Sequence, residues 1–215
     1  MGLIRLNFRH ILNLNFLFIS AVATILGFIS LLSVGNNMTS QMFGIEVRYI
    51  MLDGYVCMFI FFAGEISKDL LQQEKITRRL EWKLANGIKI GSILREHTVI
   101  LWLGTLLLLA PLFVLFAIKT ASFPMTSGIY FIIVCLLYSA ITNVLILRIK
   151  NMNRFKSLPI IVTLWHILLV VVKYALYYKT EKLIFTTIFF LMALVFIMLL
   201  SLVRLTKERI VSAYF

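Results

Sequence analysis

Charged residues are scarce in this sequence. Asp, Glu, Lys and Arg make up only 14% of the 215 residues, whereas 61% are hydrophobic and the mean hydropathy is +1.00. A soluble domain carries about a quarter charged residues, so the composition excludes a soluble globular fold. Several apolar runs reach the length that a bilayer span needs, about 20 residues. The sequence therefore predicts an all-α membrane protein with a single transmembrane domain over residues 1–215.

Reactive side chains are also few. The two cysteines, Cys57 and Cys135, lie in apolar runs and suggest no disulfide framework. The three histidines, His10, His97 and His166, are scattered, and the sequence has no HExxH, paired Cys/His or Ser/His/Asp pattern. It also lacks a P-loop run, GxxxxGK[ST]. We therefore expect no metal, no cofactor and no catalytic activity on this chain. His166, in the middle of an apolar run, is either functional or a hydrogen-bonded structural histidine.

The apolar runs predict six transmembrane helices. The first run is long enough to span, which argues against a cleavable signal peptide. Before it, residues 2–14 place Arg5 and Arg9 on one helical face and apolar residues on another. This pattern predicts an interfacial amino-terminal helix, the alternative being an irregular lead-in to the first span. The predicted spans cover about residues 16–34, 46–66, 97–118, 127–147, 158–178 and 183–203.

The distribution of basic residues predicts the orientation. The net charge of +12 could suggest nucleic-acid binding, but positive charge also accumulates in the cytoplasmic loops of membrane proteins. With the amino terminus inside, the inner segments hold sixteen Lys and Arg residues and the outer segments four. We therefore expect a multi-pass protein of the cell membrane with both termini and residues 68–87 in the cytoplasm. No nucleic-acid partner is expected.

Two charges fall inside predicted spans. Asp53 lies in the second span and Lys173 in the fifth, and at about 1.5 Å per residue both lie roughly 10 Å below the outer interface. Opposite charges at equal depth could form an intramembrane charge pair, which lowers the cost of keeping either in lipid. The alternative is that Lys173 extends outward alone while Asp53 faces a wet cavity.

Residues 68–87 form the only long polar segment of the chain. Ile76, Leu80 and Leu84 recur every four residues and predict a helix with a narrow apolar stripe. Glu74 is placed to pair with Arg78 at i, i+4, and Lys75, Arg79 and Lys83 form a basic face. A helix on the bilayer surface is one interpretation. Because acidic and basic residues alternate here, a groove on a partner protein fits the segment better than an anionic lipid surface.

The order Glu74-Lys75, Leu80-Glu81 and Leu84-Ala85, between the second and third predicted spans, resembles the coupling-helix region of type-2 ABC transporter permeases. In that family, a Glu-rich segment at this place fits into a cleft of the ATP-binding subunit. The interfacial helix, the six spans and the length are similar too. The resemblance implies that the ATPase-contacting residues are Glu74, Lys75, Arg78, Arg79, Leu80, Glu81 and Leu84.

Two departures from that family narrow the resemblance. Asn86-Gly87 stands where the family frequently has a small residue and proline. The link Lys179–Lys182 is too short for re-entrant extracellular helices, which suits compact permeases that export peptides or small hydrophobic molecules. The resemblance implies four kinds of partner: an ATP-binding subunit carrying ATP and magnesium, a second copy or a sister permease, membrane lipid, and an exported peptide. The main alternative is a non-transporting six-span protein, such as an immunity factor, sensor anchor or assembly factor.

Overall fold

Apolar helices make up most of the structure. The computed structural model describes residues 14–34, 41–42, 45–120, 125–149, 157–203, 205–206 and 210. Within these residues, five helices are long and apolar enough to cross a membrane. The chain is therefore a membrane-embedded helical protein.

Eight α-helices and two short strands follow one another in the described part of the chain. Two two-residue strands, β1 (Gln41–Met42) and β2 (Ile45–Glu46), pair antiparallel with Gln41 opposite Glu46. The helices are α1 (Leu14–Val34), α2 (Val47–Ser67), α3 (Gln73–Ile76), α4 (Arg79–Ala85), α5 (Ile90–Thr120), α6 (Met125–Arg148), α7 (Leu158–Thr180) and α8 (Leu183–Val203). A π-helical turn, Lys68–Gln72, joins α2 to α3, so that a single helical rod runs from Val47 to Ile76.

The long apolar helices overlap the predicted spans two to six. The third predicted span starts at His97, but α5 already starts at Ile90, because the polar residues before His97 are still part of the helix. The first predicted span falls on α1. Among the residues of α1 whose side chains are described, the apolar stretch is Ser20–Ile29, which is shorter than the five candidate spans. A count of six spans therefore stays a prediction. Residues 2–13, the bulk of the predicted interfacial helix, lie outside the described part of the chain.

Helix α2 is the centre of the bundle. It contacts α5, α6 and α7, while α1 lies against α5 and α8 lies against α6 and α7. Accordingly, 67% of the most apolar stretch of the α2–α3 rod is buried, against 17% for α7 and for α8. Helices α2 and α7 approach closely where Gly64 faces Pro159, since a Cβ at Gly64 would collide with the proline ring.

The direction of each helix defines two ends of the bundle. The α2–α3 rod runs toward residues 68–89, α5 runs away from them, and α6 returns, because Lys75 contacts the carboxyl end of α6. Helix α7 then runs away and α8 returns. We call the end that carries residues 68–89 the segment end and the opposite end the far end.

Candidate functional site

Two opposite charges inside the bundle are in direct contact. Lys173 Nζ on α7 lies 2.8 Å from Asp53 Oδ2 on α2, and both side chains are only 3% exposed. Tyr174 donates to the same carboxylate oxygen over 2.6 Å, and Tyr130 on α6 donates to Asp53 Oδ1 over 2.9 Å. These four residues, the Asp53 cluster, connect three helices. Each charge has an ionic partner, which lowers the cost of burying it in an apolar region.

His166 extends the polar contacts from the Asp53 cluster toward the segment end. Its Nε2 lies 3.1 Å from the backbone carbonyl oxygen of Asp53, and its Nδ1 lies 2.9 Å from Tyr138 Oη. A carbonyl oxygen can only accept, so Nε2 carries the proton and, in the neutral ring, Nδ1 accepts from Tyr138. Both ring nitrogens therefore have partners. This arrangement fits a structural histidine better than a free base.

Aromatic rings cover the ammonium group of Lys173. Its Nζ lies 4.8 Å from the ring centroid of Tyr130, 5.0 Å from that of Tyr174 and 5.5 Å from that of Phe190. Phe190 brings α8 into the site and also contacts the ring of His166. Rings at such distances attract a cation through their negative faces. The aromatic cover and the carboxylate together hold Lys173 in one place.

A cavity of about 300 Å³ opens at the far end and reaches the Asp53 cluster. It lies between the first turns of α2, α6 and α8 and the last turns of α7. Its volume falls at the lower end of the range of small-molecule sites, about 300–1,000 Å³. The lining includes Lys173, Tyr130, Ser127, Thr187, Leu52 and Ile188.

A second polar cluster lies at the segment end. Lys83 Nζ on α4 is 2.7 Å from Glu74 Oε1 on α3, and His97 Nε2 on α5 is 3.2 Å from Glu74 Oε2. We call these three residues the Glu74 cluster. The side chains of Glu74 and Lys83 are 13% and 12% exposed, so water screens this pair more than the pair of Asp53 and Lys173. The Glu74 cluster holds the segment against α5.

Lys75 is fully buried and binds the end of α6. Its Nζ donates to the carbonyl oxygens of Ile146 and Leu147 over 3.0 Å each, and to that of Ile149 over 2.6 Å. The last carbonyls of a helix lack intrahelical partners and carry the negative end of its dipole. The buried ammonium group of Lys75 donates hydrogen bonds to these carbonyls and places a positive charge at the negative end of the dipole. Lys75, predicted to lie on a basic face and to contact a partner ATPase, instead joins the segment to α6.

The predicted coupling helix is not continuous. Arg78 adopts a left-handed conformation with φ 59°, and the turn at Thr77 and Arg78 separates α3 from α4. The expected pair of Glu74 with Arg78 does not form, because it needs an unbroken helix; Glu74 binds Lys83 and His97 instead.

The break also divides the predicted apolar stripe. Leu80 and Leu84 are buried in the core, whereas Ile76 is exposed. The exposed residues Ile76, Arg78, Arg79 and Trp82 form what we call the segment face. Trp82 is its largest apolar group, and its side chain is 68% exposed. Glu81, also predicted to contact a partner, is half-buried beside this face.

Sequence reasoning missed the three tyrosines that complete the buried network. Tyr130, Tyr138 and Tyr174 each place a hydroxyl on Asp53 or His166. A signal was present, because the depth argument applied to Asp53 and Lys173 also puts Tyr130 near the far end of its helix. Tyrosine is common in membrane proteins, however, so its presence alone did not point to a site. Within the described residues, no group of His, Cys, Asp and Glu could hold a metal ion.

Comparisons with known proteins identify no relative of this chain. No protein-family model, no curated protein and no solved structure matches the chain. The functional argument therefore rests on the two clusters, the far-end cavity and the segment face.

Proposed function

We propose that this chain is the membrane subunit of an ATP-driven exporter of the type-2 ABC permease kind. In this proposal the segment face lies in the cytoplasm and docks onto a separate ATP-binding subunit, which holds ATP and magnesium. The chain pairs with a second copy or a sister permease in the cell membrane, and both termini are cytoplasmic. The exported molecule is amphipathic or hydrophobic, with a peptide as the first choice.

The observation that carries this proposal is the attachment of the segment face to the bundle. Glu74 ties α3 to α4 and α5 through Lys83 and His97. Lys75 ties the same helix to the end of α6, and α3 itself continues α2. A displacement of the segment face is therefore transmitted to α2, α5 and α6 together. Packed side chains and hydrogen bonds that join one element to several helices can carry conformational coupling.

The chemistry of the segment face supports a protein partner. Trp82 offers a large exposed ring, and tryptophan and arginine are the side chains most enriched among residues that dominate binding energy. Arg78 and Arg79 are also exposed and add positive charge to the segment face, which matches an acidic rim. Buried contacts below the face hold it in place before binding, which lowers the entropy lost on docking.

A photo-crosslinking experiment tests the proposal. Trp82 is replaced by p-benzoylphenylalanine in the full chain, expressed in its native host, and the membranes are irradiated. We expect a crosslink to a protein that contains a P-loop, identified by mass spectrometry. Trp82→Ala should then reduce the ATP hydrolysis of the reconstituted complex by at least tenfold relative to wild type.

The control places the same photoreactive residue at Tyr178, which is even more exposed than Trp82 but lies at the far end. It should give no crosslink to the ATPase. Crosslinks from position 82 to lipid alone would indicate that the segment face rests on the bilayer. Crosslinks to a protein without a nucleotide site would favour a non-transporting six-span protein. Either result would overturn the proposal.

A further inference from the structure

We propose that the far-end cavity is a binding site for an uncharged carbonyl or amide group carried on an apolar chain. The site is independent of any ATPase and stands whether or not the proposed function holds. Its lining includes Lys173 and Tyr130 of the Asp53 cluster, the hydroxyl-bearing Ser127 and Thr187, and several aliphatic side chains.

Charge balance decides which ligands the cavity accepts. The ammonium of Lys173 and the carboxylate of Asp53 are 2.8 Å apart, so the pair adds no net charge to the cavity. An anion that approached Lys173 would also meet Asp53, and a cation that approached Asp53 would also meet Lys173. Either ion would lose its hydration without a compensating counter-charge. The site therefore favours a neutral guest.

Lys173 lines the cavity and still has one N–H group that can donate to a ligand there. An ammonium group has three N–H donors, of which the structure assigns one to Asp53 and one to the Tyr130 hydroxyl over 3.2 Å. Ser127 and Thr187, on α6 and α8, add hydroxyl groups to the same lining. A carbonyl or amide oxygen accepts from such donors without bringing a charge.

Four of the six remaining lining residues are aliphatic, and the other two are Tyr49 and Thr126. The aliphatic residues are Leu52 on α2 and Leu183, Ile184 and Ile188 on α8. The volume of about 300 Å³ is roughly ten times that of one liquid water, ~30 Å³. There is thus room for a short aliphatic chain behind the polar group. The ligand class is an amphipathic neutral molecule, either a lipid ester or an amide such as a peptide bond.

Three probes with one chain length and different head groups test this assignment. Octanamide, octanoate and octylamine are titrated into the purified full chain in lipid-free detergent at pH 7. Binding is followed by an environment-sensitive fluorophore on Ile184→Cys, in a Cys57→Ser/Cys135→Ser background. We expect octanamide to bind at least tenfold more tightly than either charged probe.

Charge variants should invert that preference. Asp53→Asn leaves Lys173 unbalanced, and octanoate should become the tightest of the three probes. Lys173→Met leaves Asp53 unbalanced, and octylamine should become the tightest. Because either change could impair folding, Ser127→Val/Thr187→Val provides a second route: it should weaken octanamide binding about tenfold. Thr105→Val, a buried threonine on α5 away from the cavity, should leave the affinity unchanged.

Repeating the titration in phosphatidylcholine nanodiscs shows whether the carbonyl group in the cavity comes from a lipid ester or from another ligand. An unchanged octanamide affinity means that the site takes a ligand other than bulk lipid. Loss of octanamide binding, with phospholipid retained in the purified protein, means that a lipid ester fills the cavity. Equal affinity for all three probes would reduce the cavity to an unselective apolar slot. That result, or preference of the wild type for a charged probe, would overturn the inference.

Discussion

The two polar clusters differ in what surrounds them. The side chains of Asp53 and Lys173 are only 3% exposed and lie among three helices and aromatic rings, and Lys173 also lines the far-end cavity. Glu74 and Lys83 are partly exposed, and the segment face with Trp82 lies next to them. Burial strengthens the Coulomb attraction within an ion pair but makes the loss of one partner expensive. The Asp53 cluster therefore fixes the relative positions of helices, whereas the Glu74 cluster connects a contact surface to the bundle.

Breaking the Asp53 cluster should have the largest effect. Lys173→Met leaves a buried carboxylate without its counter-ion, and a buried pair that loses one partner typically costs about 3–5 kcal/mol of unfolding free energy. The double variant Asp53→Asn/Lys173→Met removes both charges and should recover most of that loss. Unfolding by sodium dodecyl sulfate in mixed micelles, followed by circular dichroism, measures both.

A double-mutant cycle of Asp53→Asn, Lys173→Met and the double variant gives the coupling energy between Asp53 and Lys173. A value near the ~0.6 kcal/mol average for interhelical hydrogen bonds in a membrane protein would mean that the ion pair is unimportant. The exchange Asp53→Lys/Lys173→Asp restores opposite charges at equal depth. It should recover function that each single charge variant loses.

Removing the contact between Lys75 and α6 should have an intermediate effect. Lys75→Met takes a fully buried donor away from three carbonyl oxygens at a helix end. Hydrogen bonds to charged groups contribute about 1.5–3 kcal/mol each, offset here by the lower cost of burying methionine, so we expect a net loss of about 2 kcal/mol. The same detergent titration measures it. Lys89→Met, on an exposed lysine of the same segment, should change stability by less than about 0.5 kcal/mol, and equal losses in the two variants would show that Lys75 is not a structural contact.

The sequence was informative for features that depend on one length: the length of an apolar run or the depth of a residue along its helix. Hydrophobic length alone predicted the long helices, and α8 has the predicted bounds, Leu183–Val203. Equal depth likewise pointed to Asp53 and Lys173, which lie 2.8 Å apart. Both arguments need only the rise of a helix and the thickness of a bilayer.

Positions that depend on a distant part of the chain were not predictable. Lys75 is buried because the carboxyl end of α6, more than 70 residues away, lies beside it, and no local pattern carries that information. The left-handed turn at Arg78 ends α3 in a stretch whose periodicity suggests one helix. Arginine has no preference for that conformation, so the break was not visible in the residue types.

The turn between α3 and α4 offers the smallest and most specific test. Arg78 has φ 59°, a conformation that costs an ordinary L-residue about 1–2 kcal/mol, while its neighbour Arg79 is helical. Arg78→Gly should stabilise the protein by about 0.5 kcal/mol, because glycine removes this cost but gains freedom in the unfolded chain. Arg79→Gly should destabilise it by about 0.5 kcal/mol, since glycine weakens a helix. Each variant removes one positive charge from the segment face, so the difference in their midpoints of unfolding isolates the backbone effect, and shifts of the same sign would contradict the left-handed turn.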